Sequence, residues 1–354
     1  MRHYLFITLY MGAALFICTM TPSCTTSESV PEIPSPIAPD KEGYPVAIHF
    51  STLSQAASRA SGSNTLPVAL AEGTKFRVYA YSNGKREATG LYTVGSGNQT
   101  ASSTSGENGY MSLYRGTYDF YLVSDNTSAD SQPTANTDGQ ITVTNGTDFI
   151  CTTLKDVVVQ PTSTDASSIT IPVNNPFSHL SSQLWVAVTA TSTQPKAITS
   201  LAVNSIKVEN LSADRTYNLG GGAYSGTTTY NATFSTPQWN GTSAFTTSTA
   251  TETGGTAYTI ESKNPYLALP TDGSTELKFT INLSVGYTKA DGSATTDTKE
   301  YIATTPKALL PGTKYRFEFA LTFFGDLAET DMALTVKAYT INELITDEIG
   351  GDPE

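Results

Sequence analysis

The chain is short of the residues from which reactive sites are built. It has three cysteines and three histidines in 354 residues. Cys18 falls in an N-terminal segment with the features of a signal and Cys24 at its end, so Cys151 is the only cysteine of the body and no intramolecular disulfide is expected, even after export. Cys151 lies in the apolar stretch from Phe149 and has only Lys155 as a nearby cation, which suits a buried small hydrophobe better than a reactive thiolate. His3, His49 and His179 are too few and too scattered for a metal site or a catalytic triad; His179 reads as a satisfied packing residue. No serine stands between the glycines of a nucleophile elbow, and Gly220-Gly221-Gly222 lacks the Lys-Ser/Thr of a phosphate loop. Positive charge is scarce as well: 20 Lys and Arg against 32 Asp and Glu give a net charge of -12, which repels nucleic acid and anionic lipid surfaces. No apolar run reaches the ~20 residues of a membrane-spanning helix, and no window carries a helical stripe. The expectation is a protein with no catalytic residue, metal or cofactor.

What is present begins at the N-terminus. Arg2 and His3 precede an apolar run from Tyr4 to Ile17, and Thr21-Pro22-Ser23 lead to Cys24. This has the form of a signal peptide over residues 1–23 that leaves Cys24 as the first mature residue, where a thioether-linked lipid would anchor the chain. Thr21 stands where bacterial lipoproteins usually carry Leu, and ordinary cleavage with Cys24 unmodified is the plainer alternative. Residues 24–43 carry Pro31, Pro34, Pro36 and Pro39 with no apolar period, the composition of an extended tether.

From Tyr44 the texture becomes short alternating apolar runs rich in Thr, Val and Tyr, punctuated by Gly, Asn, Asp and Ser, which predicts an antiparallel all-β chain. Tyr44, Val46, Ile48 and Phe50 alternate with smaller or polar neighbours as one strand with a buried face. Later strands are predicted within 76–81, 118–123, 140–143, 169–173, 184–189, 205–209, 258–260, 277–287, 314–323 and 334–341. Pro161, Pro172 and Pro176 punctuate a polar stretch, which places a division near residue 170 and gives domains of 44–170 and 171–354. Gly220 to Gly222 and Thr246 to Gly255 read as polar loops, and Trp239 and Tyr230 as loop aromatics that are candidates for ligand contact, with Trp185 assigned to the core. Asp272-Gly273 and Asp291-Gly292 read as turns first and calcium ligands a distant second.

One local pattern recurs: EGTKFRVYAY at 72–81, RGTYDFYLVS at 115–124 and PGTKYRFEFAL at 311–321, each a Gly-Thr pair leading into a strand. Gly73, Gly116 and Gly312 suit a turn with positive φ. Taken in order with the lipoprotein-type signal, Ile48-His49-Phe50, Ser58-Arg59-Ala60, NPFSHLSSQLWVAV at 175–188 and NLSADRTYNLGGG at 210–222, these segments resemble the fimbrillin-like family of Bacteroidales surface lipoproteins, the superfamily of type V pilus subunits.

That resemblance implies two tandem β-sandwich-like domains of Greek-key or transthyretin-like build, and a structural or adhesive subunit of surface fimbriae held at the outer membrane by lipid. It also implies a cut by an arginine-specific protease between Arg59 and Ala60, loss of the strand at 44–50, and insertion of the C-terminal segment of another copy or a related subunit. The matching donor is Met332 to Ile341, with Leu334, Val336, Ala338, Tyr339 and Ile341. The residues support this in part. Arg59 is the only Lys or Arg between Lys41 and Lys75 and has small polar neighbours that leave the backbone accessible; a solvated loop arginine is the plain alternative. Leu334, Val336 and Ala338 share one face of a strand, whereas Tyr339 and Ile341 share the other unless a bulge intervenes. The last strand of the chain's own second domain is the equal alternative for this segment. The rival to a polymerising subunit is a non-polymerising surface lipoprotein that binds glycans or host ligands.

Overall fold

The computed structural model describes residues 46–51, 70–95, 100–103, 110–160, 168–175, 177–192, 198–231, 239–252, 255–289, 291–323 and 330–340. The expected alternation is visible in the first strand, β1 (Val46–Ser51), where buried and half-buried residues follow one another strictly. β2 (Lys75–Ser82) and β3 (Lys85–Val94) form a hairpin around Asn83-Gly84, whose φ angles of 50° and 75° are those of a tight turn matched to strand twist. There follow β4 (Thr100–Ser103), β5 (Ser112–Leu113), β6 (Gly116–Ser124), β7 (Gln140–Val143), β8 (Ile150–Val159), β9 (Ser168–Pro172) and β10 (Ser178–His179). Except for β7 these make one sheet in the order β10-β8-β6-β2-β3-β4-β1-β5, with β9 also paired to β1. The sheet is folded over on itself. β1 and β6 are separated by three strands, yet the rings of Phe50 and Phe120 are 5.6 Å apart, against the ~19 Å that four strand spacings would impose on a flat sheet. The space between the layers is filled by Ile48, Phe50, Phe76, Val78, Tyr92, Phe120 and Phe177.

The second half continues with β11 (Ser182–Ser192), β12 (Ile198–Glu209), β13 (Leu211–Ser212), β14 (Arg215–Asn218), β15 (Ala223–Ser225) and β16 (Tyr230–Asn231). After these come β17 (Phe245–Glu252), β18 (Gly255–Ser262), β19 (Tyr266–Ala268), β20 (Leu277–Thr288), β21 (Ala294–Thr305), β22 (Thr313–Phe323) and β23 (Thr330–Thr340). A sheet β17-β18-β11-β22-β23, with β19 on β11, packs against a sheet β12-β20-β21. The contact between them is aromatic at its centre, with Phe279 of β20 at 4.6 Å from Phe317 and 5.3 Å from Phe319 of β22. The protein is all-β and built from sandwich-like layers, as the sequence pattern predicts.

The halves are stitched together. β7 pairs with β14, and β14 with β15, so one small sheet draws strands from both halves. Beneath it lie Tyr79, Tyr121, Phe149, Tyr217 and Leu219. The expected division at 170/171 falls inside β9, which is laddered to β1, and β10 beyond it is laddered to β8; the chain passes from the first sheet to the second between His179 and Ser182. Thr246 to Gly255 is not a loop: most of it is β17, paired with β18 from Phe245↔Ser262 to Glu252↔Gly255. Thr246 to Ala250 are all exposed, so no alternation marked it. Of the three recurring glycines, Gly73 and Gly312 have positive φ (83° and 64°), while Gly116 is the first residue of β6 opposite Val159.

Candidate functional site: the slot filled by the first strand

β1 is a central strand although it comes first. Ala47 faces Ser112 on one side and Ser168 on the other, and Phe50 faces Ala101 on one side and Ile171 on the other. β4 and β5 therefore lie end to end along one edge of β1, both antiparallel, and β9 lies along the other edge, parallel. Among the described residues β9 pairs with no strand except β1.

The apolar side of β1 points into the first core. Val46 is 3% exposed and Ile48 and Phe50 are fully buried, so removal from water contributes roughly 1.5 to 3 kcal/mol for each, about 5 to 9 kcal/mol for the three. Phe50 sits in a cage of rings, edge-on to Tyr92 (5.0 Å), Phe120 (5.6 Å) and Phe76 (6.5 Å). Tyr92 also fixes the backbone: its hydroxyl donates to the Ile48 carbonyl at 2.9 Å and accepts from the Met111 N–H at 3.3 Å. Burial pushes this phenol well above its ordinary range. Gly90 is needed beside it, because a Cβ there would lie 2.9 Å from the Tyr92 ring. The Ile48 N–H donates to the Met111 carbonyl and the Val173 N–H to the Ser51 carbonyl, both at 2.8 Å. On the opposite face of β1 the His49 ring lies 4.0 Å from that of Tyr110.

Without β1, the molecule would hold an apolar slot between the edges of β4 and β5 on one side and β9 on the other. Such a slot accepts an extended chain through main-chain pairing and alternate side-chain pockets.

β23 occupies the edge of its own sheet, antiparallel to β22 in an unbroken register from Phe323↔Thr330 to Thr313↔Thr340. Leu334, Val336 and Ala338 stand opposite Phe319, Phe317 and Tyr315, and Tyr339 opposite Lys314. No bulge intervenes, so Tyr339 is out of phase with the other three. Val336 is half-buried against the second core.

Cys24, Arg59, Ala60 and Ile341 lie outside the described residues. Trp239, expected as an exposed platform, is instead 1% exposed, with its indole N–H donating to the Asn264 carbonyl at 3.1 Å and its ring 6.2 Å from Tyr266. A core tryptophan cannot stack on a soluble ligand. Tyr230 is half-buried in β16 and bonds its hydroxyl to the Asp272 carboxylate. The tryptophan on a solvated face is Trp185, half-buried with the Lys314 ammonium 4.9 Å above its ring. Strict alternation with Leu184, Val186 and Val188 was the signal that would have placed it there.

His179 is the packing residue the sequence suggested: its Nδ1 lies 2.6 Å from Asp148 Oδ1, and Asn126 donates to the other carboxylate oxygen at 2.9 Å. The Cys151 thiol is pushed up by burial and lies 3.3 Å from the Tyr217 hydroxyl. Asp272 and Asp291 accept the N–H groups of Ser274 and Ser293 at 2.9 and 2.8 Å, beside Gly273 and Gly292 with positive φ, which is the turn reading of both pairs. Among the described residues no group of three or more His, Cys, Asp or Glu is gathered to hold a metal ion.

The sequence model of a family described as fimbrillin-like matches residues 35–321. No curated protein sequence matches the chain. Solved structures with similarity include a candidate cell adhesion protein from Bacteroides fragilis, at 15% identity and a TM-score of 0.48, covering 84% of this chain and 98% of that one. A fimbrial protein from Bacteroides vulgatus has 14% identity and a TM-score of 0.46, with 84% and 100% coverage. A fimbrilin from Porphyromonas gingivalis has 9% identity and a TM-score of 0.44, with 83% and 97% coverage. The match over residues 35–321, and not these likenesses, decides the family.

Proposed function

This chain belongs to the fimbrillin-like family, and from that premise we propose that it is a two-domain structural or adhesive subunit of a cell-surface fimbria, assembled by strand exchange. A lipid on Cys24 carries it to the outer membrane. An arginine-specific protease cuts after Arg59, β1 leaves with the segment before the cut, and an extended segment of another subunit takes the vacated slot. The C-terminal segment that includes Leu334, Val336, Ala338, Tyr339 and Ile341 is the part offered to a neighbour. The observation that carries this reading is the placement of β1. The first strand among the described residues is paired on both edges and buried on its apolar face, so a single cut between it and β2 frees an entire slot without cutting any other described strand.

The rival, a non-polymerising binder of glycans or host ligands, loses its main support with the burial of Trp239. The test is to treat the protein with an arginine-specific protease in the presence of other fimbrial subunits and run unboiled samples in SDS. A cut at Arg59 followed by SDS-resistant complexes supports assembly. Fimbriae of normal length from cells carrying Arg59→Ala would refute the proposed cut.

A further inference from the structure

The third buried position of the slot is built for an aromatic ring. The cage around Phe50 is itself held in place, since Phe76 stacks on Tyr92 at 5.7 Å and meets Phe177 at 6.1 Å. Any occupant that runs as β1 does, antiparallel to β4 and β5 and parallel to β9, presents every second residue to the positions of Val46, Ile48 and Phe50.

The chain's own C-terminal segment does not meet that demand. From Met332 to Glu354 its one aromatic residue is Tyr339. Setting Tyr339 in the Phe50 position brings Lys337 to the fully buried Ile48 position. Setting Ala338 there brings Leu334 and Val336 to the first two positions but leaves the ring cage nearly empty, and Val336 there leaves it half filled. Ile341, Leu344, Ile345 or Ile349 in the cage bring Tyr339, Asn342, Glu343 or Asp347 to the Ile48 position. Reversing the strand sets Tyr339 and Ile341 correctly but places Glu343 at Val46, and it breaks the pairing sense with both neighbours.

Resting on the strand-exchange reading above, we propose that the slot selects an extended segment of a different protein over the C-terminal segment of a second copy. That segment carries an aromatic side chain two residues after a branched aliphatic one and four after another apolar one. The aromatic position decides the choice, because the registers that keep charge out of the slot leave the ring site underfilled.

The full chain supplies the test. One variant carries Val46→Leu, Ala47→Thr, Ile48→Val, His49→Lys and Phe50→Ala, which writes the order of residues 334–338 into β1; a second carries the first four changes and keeps Phe50. Urea unfolding should show the Phe50-retaining graft about a hundredfold or more favoured in its folded/unfolded ratio over the Ala graft. Equal midpoints and slopes would overturn the proposal. Competition on the chain cut after Arg59 reads the same choice without grafting. Against a labelled peptide of residues 44–51, a peptide of residues 332–342 carrying Ala338→Phe should compete at about a hundredfold lower concentration than the native 332–342 peptide. Equal competition overturns selection by the aromatic site alone. Failure of the labelled 44–51 peptide to bind the cut chain would bring down strand exchange itself, and this proposal with it.

Discussion

Cleavage after Arg59 leaves β1 joined to its sheet by non-covalent contacts alone, and the strength of those contacts follows from burial. Val46, Ile48 and Phe50 are essentially removed from water, which holds the cut strand with about 5 to 9 kcal/mol. At about 1.4 kcal/mol per decade, that range gives a dissociation constant no tighter than roughly 0.3 µM, because association itself costs further free energy. Ladder hydrogen bonds add about 0.5 to 1.5 kcal/mol each, and the ordering of each strand residue takes back about 1 to 2 kcal/mol, so the two nearly offset. The cut strand should therefore leave on dilution to roughly 10 nM protein. Native mass spectrometry across a dilution series, after cleavage and quenching of the protease, reads the fraction that retains the fragment. A fragment still bound at equilibrium at the low end would refute the reasoning, since a plug held that firmly is not open to exchange.

Three further outcomes follow from other parts of the molecule. Trp239→Ala should destabilise the fold by about 3 to 5 kcal/mol in urea unfolding, as a fully buried ring does, while leaving any binding to soluble glycans unchanged; a variant of native stability would place Trp239 outside the core. Tyr92, Tyr217, Tyr224 and Tyr266 are all raised above the ordinary phenol value of 10.0 by burial. Their stabilisation is fully present below pH 10 and is lost as pH rises past it, because only the unfolded chain releases these protons easily; an alkaline titration should show tyrosinate absorbance appearing together with unfolding, and smooth ionisation of every tyrosine in a folded protein would contradict this. Cys24→Ala should release the protein from membranes into the soluble fraction, and unchanged membrane association would remove the lipid anchor.

Much of this was legible in the residues. Strands with one face in a core announced themselves by alternation, as in Val46-Ile48-Phe50 or the run from Leu277 to Val285, because a period of two is forced wherever one side is wet and the other dry. Strands written largely in threonine and charge gave a weaker sign. Thr246 to Ala250 of β17 are all exposed and β21 turns only a half-buried face, with Tyr301 and Ala303, to the second core, so the pairing of both comes from the neighbouring strand. Trp239 was misplaced for a related reason: its flanks are Gln, Asn and Gly, but tertiary packing against Tyr266 draws the ring inward. The slot was only half legible. That residues 46–50 form a strand follows from their spacing, whereas the identity of its neighbours does not, since Ser112 and Ser168 lie more than sixty residues away along the chain.

The two-sided pairing of β1 bears on when assembly can begin. An open edge would admit a neighbour's strand at any time. Here the edges of β4, β5 and β9 that face the slot are closed while β1 is in place, and the apolar row beneath it is covered. Strand addition at this slot therefore waits for an event that removes β1. A cut in the segment just after Ser51 is such an event, and it acts on one bond. β9, which among the described residues pairs with β1 alone, loses its ladder partner when β1 goes, and an arriving segment that pairs as β1 does restores both ladders. On the proposed reading, processing is thus the step that licenses polymerisation, and its timing is written into the position of a six-residue strand.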